Sequence, residues 1–159
     1  MLIRQATLHD VEGVHSISVA SGCEVWGVEM LQASPQRFVV VAEAQGRLVG
    51  VAKTHFHTHS DGEAPAGHYL GGVMVDPSYR RQGVASALTA ARLDWIWSQA
   101  DHAYYFANEQ NTASIRLHAK FGFYSLGSFS TIHGVTADNG QSKLILFEAS
   151  TRGFGDRDA

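Results

Sequence analysis

GGVMVDPSYRRQGVASALTAARLDWIW, residues 71–97, passes from an apolar strand-like segment through a Pro-opened, doubly basic turn into an Ala-rich run. Asp76-Pro77 stops the strand, because Pro fixes φ and removes a donor from the ladder. From Gln82 to about Ser98, Val84, Leu88, Ala91 and Trp95 recur at helical spacing, which predicts a helix with one buried face. A strand feeding a helix through a Gly-containing turn leaves the first helical N–H groups without intrahelical partners, and the helix dipole adds positive potential there. Such a place suits a phosphate. Gly83 allows close approach by a ligand, Val84 and Ala85 keep the side chains small or moderate, and Arg80 and Arg81 add formal charge. An ordinary strand-to-helix connection with solvated arginines is the other reading. Neither commoner nucleotide loop is present, since there is no Gly-Lys-Ser/Thr and no G-x-G-x-x-G.

Working outward, residues 2–7 read as a first strand, and Thr7 or Asp10 as the cap of an amphipathic stretch running to about Ala20. Residues 21–34 are expected to be helical in part. Residues 37–44 and 47–57 are β-branched and separated by Gln45-Gly46, which predicts a hairpin. A loop at 58–67 precedes a strand at 68–75. After the helix come a strand at 102–108, a helix over 111–121 ended by Gly122, and two closing strands at 124–131 and 142–148. The tail after Thr151 is expected to fray. The order predicts one mixed α/β domain over 1–150 around a central sheet, without internal repeats.

Composition agrees with a globular chain: 159 residues, 45% hydrophobic and 17% charged. A net charge of −3 gives no reason to expect a nucleic-acid partner, so any anion site has to be local. No apolar run approaches the roughly 20 residues of a membrane span. Arg4, His9, Asp10 and Glu12 interrupt any signal-type stretch, and the single Cys23 excludes an internal disulfide. A soluble cytoplasmic protein without a membrane partner is the expectation.

The turn also carries a resemblance. V-x-P-x-x-R-x-x-G-x-A, spelled by Val75, Pro77, Arg80, Gly83 and Ala85, resembles the acyl-CoA pyrophosphate motif of the GNAT superfamily of N-acetyltransferases. Residues 111–123, NTASIRLHAKFGF, resemble that superfamily's second motif, in which an Asn opens a helix and Gly-Phe closes it. The resemblance implies a mostly antiparallel sheet of about seven strands with about four helices, and acetyl-CoA as co-substrate. It implies that the backbone N–H groups of about Gln82, Gly83, Val84, Ala85 and Ser86 hold the pyrophosphate, with Arg80 and Arg81 adding charge. The pantetheine arm would lie along the strand ending at Val75, with N–H groups near Val73 to Val75 as oxyanion donors. Asn111, with Ser114 in the same motif, would hold the cofactor arm from the other side; a plain N-cap explains Asn111 equally well.

Acetyl transfer to an amine needs a neutral nitrogen, a stabilised oxyanion and a proton for the departing thiolate. Where the superfamily often places a Tyr, this chain has His118, which is either the proton donor or a core histidine beside Ile115 and Phe121. Where relatives carry Glu or His in the strand before the turn, it has His68 and Tyr69, then two glycines. His68 is one candidate base, and a positioned water is another. For the acceptor, a small-molecule amine, the resemblance points to the segment after the first strand: Cys23, Glu24, Trp26, Glu29 and Met30, with Glu109 and Tyr69 as further contacts. Glu24 would attract an ammonium and Trp26 supply a wall; core and solvated roles are the alternatives.

His55 and His57 share one strand face, with His59 and His68 nearby in sequence, and could address one metal ion or one substrate, but no companion carboxylate or third strong ligand is evident, so no metal is assigned. Cys23 has no evident activating partner, which disfavours an acyl-enzyme. An acyl-CoA-binding sensor and an acetyltransferase of protein amines remain as alternative functions. Sheet edges and exposed aromatics leave a homodimer open.

Overall fold

The computed structural model describes residues 1–137 and 139–151; the tail expected to fray lies, beyond Thr151, outside the described residues. The strands are β1 (Leu2–Gln5), β2 (Val39–Ala44), β3 (Arg47–His57), β4 (Gly67–Val75), β5 (His102–Asn108), β6 (Tyr124–Phe129), β7 (Thr131–Ile132), β8 (Val135–Thr136) and β9 (Leu144–Ser150). The α-helices are α1 (Val11–Ser21), α2 (Val28–Leu31), α3 (Val84–Trp97) and α4 (Thr112–Ala119). Seven strands hydrogen-bond in the order β1-β2-β3-β4-β5-β9-β6, and β7 pairs with β8 separately. The pairs β1–β2, β2–β3, β5–β9 and β6–β9 are antiparallel, and β4–β5 is parallel, with Tyr69 and Tyr104 in register. This is the mixed α/β domain that the residue pattern predicts, with the mostly antiparallel sheet of seven strands that the resemblance implies.

By packing, the described chain divides into two compact units, neither continuous in sequence. One comprises Met1–His55 with Gly71–Trp95; the other comprises Phe56–Leu70 with the chain from Ile96 onward.

In the first unit the expected hairpin forms on Gln45 (φ 53°) and Gly46 (φ 77°), both left-handed, as the twist of a two-residue turn requires. The run Val39-Val40-Val41-Ala42 has no polar face, because both sides of β2 are covered. Val39, Val41 and Val51 meet Val14 and Ile17 of α1 and Leu31 of α2 on one side. Val40, Ala42 and Ala52 meet Val84 and Leu88 of α3 on the other. Arg4 fixes the start of the chain: Nη1 and Nη2 donate to the two oxygens of Asp10, each at 2.8 Å, and Nε donates to Glu43 at 2.8 Å. The partly helical expectation for 21–34 reduces to the single turn of α2.

In the second unit β5 and β9 pair from His102↔Ser150 to Asn108↔Leu144. Ala64, Tyr69, Tyr104, Ile132, Leu144 and Leu146 form its core. The strand expected over 124–131 breaks after Phe129, and the small β7–β8 hairpin, turning on His133 and Gly134, was not foreseen. No helix among the described residues is long and apolar enough to cross a membrane.

Candidate functional site

The turn after β4 is built from local bonds. Asp76 Oδ1 accepts from the Ser78 N–H at 2.9 Å and from the Ser78 hydroxyl at 2.6 Å, closing a 3-10 turn over Pro77–Tyr79. Those bonds, with the charges of Arg47 and Arg80, hold the Asp76 carboxyl below the usual carboxylate range. Arg81 then takes φ 62° and Gly83 φ 84°, two left-handed residues that turn the chain into α3. A Cβ on Gly83 would meet nothing within 4 Å. Its glycine is therefore demanded by backbone conformation, not by crowding from the protein. Arg80, Arg81 and Gln82 are exposed.

Val84 is 2% exposed and packs with Leu88 against β2 and β3, so this side chain anchors the helix. The earliest α3 amide with a backbone acceptor is Ala87, which donates to Gly83 at 3.0 Å. Among the described residues no acceptor meets the N–H groups of Val84, Ala85 or Ser86. Three first-turn amides, two arginines and a glycine turn thus share one exposed corner of the first unit, an arrangement suited to a phosphate.

Upstream in β4 lie Gly71 and Gly72. A Cβ on Gly71 would stand 3.1 Å from Lys53 Cγ, and one on Gly72 would stand 3.0 Å from Trp26 Cζ2. Lys53 itself holds its ammonium 4.8 Å above the Trp26 ring. Two consecutive residues thus face one neighbourhood, which regular alternation forbids, and the strand bulges there. Val73 and Val75, beyond the bulge, pack on the α3 side. Arg92 of α3, fully buried, donates Nη1 to the carbonyls of Gly71 and Lys53, both at 3.1 Å, and Nη2 to Thr89 Oγ1 at 3.1 Å. The guanidinium therefore binds α3 to β3 and to the bulge. Arg92 was missed in the sequence although it sits one turn after Leu88, on the buried side of the helix.

Around Trp26 the first unit gathers Glu24, Met30, Arg37 and Lys53. Lys53 Nζ lies 3.4 Å from Met30 Sδ. Burial pulls the Lys53 pKa down, the Arg37 charge adds to this, and Glu24 opposes it. Trp26 is half-buried and Glu24 exposed; Lys53 and Arg37 carried no sequence signal.

The second unit holds the remaining candidates. His68 is 7% exposed, with its ring 4.7 Å from that of Phe56, and burial lowers its pKa. Tyr69 is 1% exposed and donates its hydroxyl to Pro65 O at 2.7 Å, while burial first, then Tyr104 and Asp61, raises its pKa. Asn111 caps α4, its Oδ1 accepting from the Ser114 N–H at 3.3 Å. The Ser114 hydroxyl is hydrogen-bonded to the Tyr105 hydroxyl. His118, 2% exposed, lies parallel to Tyr105 with centroids 3.6 Å apart, and its Nδ1 is 2.7 Å from Ser114 O. Glu109 accepts from the Lys143 N–H at 3.2 Å. His57 stacks on His133 at 3.7 Å, and His59 pairs with Thr58. Among the described residues no group of three or more His, Cys, Asp or Glu is placed to hold a metal ion.

The sequence model of the Acetyltransferase (GNAT) family matches residues 12–123. The chain is 38% identical over 86 residues to a mycothiol acetyltransferase of Thermobispora bispora, covering 52% of this chain and 28% of that protein. It is 32% identical over 91 residues to a mycothiol acetyltransferase of Salinispora tropica, with 54% and 28% covered. The chain therefore spans little more than a quarter of these relatives. Among solved structures, the ribosomal-protein-S18-alanine N-acetyltransferase of Escherichia coli superposes with TM-score 0.72 at 17% identity, over 94% of this chain and 92% of that one. A putative acetyltransferase of Salmonella typhimurium, solved with its cofactor acetyl-CoA, gives 0.72 at 19% identity, over 94% and 93%.

Proposed function

The chain belongs to the GNAT acetyltransferase family, and from that footing we propose that it transfers the acetyl group of acetyl-CoA to a primary amine of a small molecule by direct attack. The observation that carries the reading is the open first turn of α3. The N–H groups of Val84, Ala85 and Ser86, with the cations of Arg80 and Arg81 beside them, would hold the pyrophosphate of the cofactor. The thioester would then lie along β4, where N–H groups near Val73 to Val75 stabilise the oxyanion.

In the reaction the neutral amine adds to the thioester carbonyl, giving a tetrahedral oxyanion. Its collapse breaks the C–S bond, forms the amide and releases the thiolate, which takes up a proton. His68, whose pKa burial lowers, would accept a proton from the amine directly or through a water. His118, held by its Nδ1 contact with Ser114 O, would supply the proton to the thiolate from its protonated form. Asn111 and Ser114 would position the cofactor arm from α4.

Release of free thiol from acetyl-CoA, followed across a panel of small amines and of peptides, tests the reading. Turnover with small amines supports it. Turnover confined to peptides assigns a protein acetyltransferase, and tight acetyl-CoA binding without release on any acceptor assigns a binding module.

A further inference from the structure

Lys53 and Arg37 are two cations close enough for the charge of one to lower the pKa of the other. Among the described residues no carboxylate lies within salt-bridge distance of either. The Lys53 ammonium is half-buried between the Trp26 face and Met30 Sδ. Arg37 donates Nη2 to the carbonyls of Glu29, at 2.9 Å, and Gln32, at 3.4 Å, while its Nε is buried with no acceptor. Glu24 is the acidic group whose charge reaches Lys53, and it is exposed.

Such a pair is unfavourable by itself. Like charges repel, a desolvated ammonium loses hydration that the soft contacts with Trp26 and Met30 replace only in part, and a buried N–H without an acceptor adds a further cost. An anion placed between them relieves the repulsion and the lost hydration and gains charge-assisted hydrogen bonds. The pair also sits beside the β4 bulge: the Lys53 stem touches Gly71, and Gly72, exposed and without a side chain, faces Trp26.

We propose that Lys53 and Arg37 form an anion subsite for the acceptor, which is an amine that also bears a carboxylate and an apolar side chain. The carboxylate is held by the two cations, and the apolar part lies against Trp26 and Met30. The amine then extends past Gly72 toward the thioester, a direction that rests on the acetyltransferase reading; the anion site itself does not.

The test uses matched pairs: leucine, methionine and phenylalanine, and ω-amino acids of two to six carbons, each against its carboxamide. Binding to CoA-saturated protein is measured by calorimetry and turnover by thiol release. At least one acid is expected to bind tenfold or more tighter than its amide, with kcat/KM in the same ratio. Lys53→Met collapses the ratio to about one, and Lys53→Arg, which keeps the charge, restores most of it; melting temperatures show that each variant is folded. Equal binding of acid and amide across the panel, no binding of any acid, or an unchanged ratio in Lys53→Met overturns the subsite. Transfer to acids and amides alike would sink the subsite and leave the acetyltransferase reading standing. Selective binding of acids without any transfer does the opposite.

Discussion

His118 and Tyr105 lie in parallel planes, 6° apart with centroids at 3.6 Å, and the imidazole Nδ1 is 2.7 Å from the carbonyl of Ser114, one turn earlier on α4. The stack fixes the ring plane, and the hydrogen bond fixes which nitrogen carries the proton in the neutral form. A proton donor needs that order, and so does a core histidine, so the two roles separate only on substitution. His118→Phe preserves an aromatic ring against Tyr105 and removes both nitrogens. Turnover is expected to fall by roughly 10²-fold or more, while the affinity for acetyl-CoA, measured by calorimetry, stays within about twofold. A lowered melting temperature with undiminished kcat would confine His118 to the core.

Gly83→Val forces a β-branched residue to φ 84°, at a cost of roughly 1–2 kcal/mol. Relief of that strain rotates the first amides of α3. Acetyl-CoA affinity is expected to fall tenfold or more, with only a few degrees lost in thermal denaturation. Equal affinity in a folded variant would move the cofactor's phosphates elsewhere.

Arg92→Leu leaves the carbonyls of Lys53 and Gly71 without their guanidinium donor in a fully buried position. Each unsatisfied buried acceptor costs about 1–3 kcal/mol, so chemical denaturation should show one of the larger losses of any single substitution in α3. A loss below about 1 kcal/mol would mean that water takes over both carbonyls.

Asp10 is held below its ordinary pKa of 3.8 by hydrogen bonding from Arg4 first, against the opposing effect of burial. A depressed folded pKa gives stability that is present above 3.8 and lost as pH falls through the folded value. Asp10→Asn is therefore expected to be destabilised at pH 7, by about 1–3 kcal/mol, and its deficit relative to the parent should shrink below pH 4 or so. A deficit independent of pH would contradict the assignment.

Lys53 behaves oppositely. Its folded pKa lies below the ordinary 10.5, chiefly through burial, so between the two values the unfolded chain binds a proton that the folded one has shed. Stability then rises with pH across that window. Lys53→Met lacks the ionisation and should be the more stable protein at pH 7, with the gap narrowing as pH approaches 10.5; urea titrations at several pH values measure it.

The sequence by itself determined the order of the main strands and helices, the Gln45-Gly46 hairpin, the helix read from about Gln82 and the glycine turn at its start. These features are local: periodicity, Pro at a strand end and residues that tolerate positive φ act within a few positions of the chain. The motif pair at 75–85 and 111–123 named the family for the same reason, since backbone amides at a helix start need only a short sequence to present them. Tertiary structure alone decided what Arg92, Lys53 and Arg37 do. Arg92 reads as one more charged helix residue until β3 and β4 bring two carbonyls to it. Lys53 and Arg37 become a cationic pair only when Trp26 and the Gly71-Gly72 bulge pack beside them. Burial and charge proximity are properties of distant residues brought together, and no short window of sequence contains them.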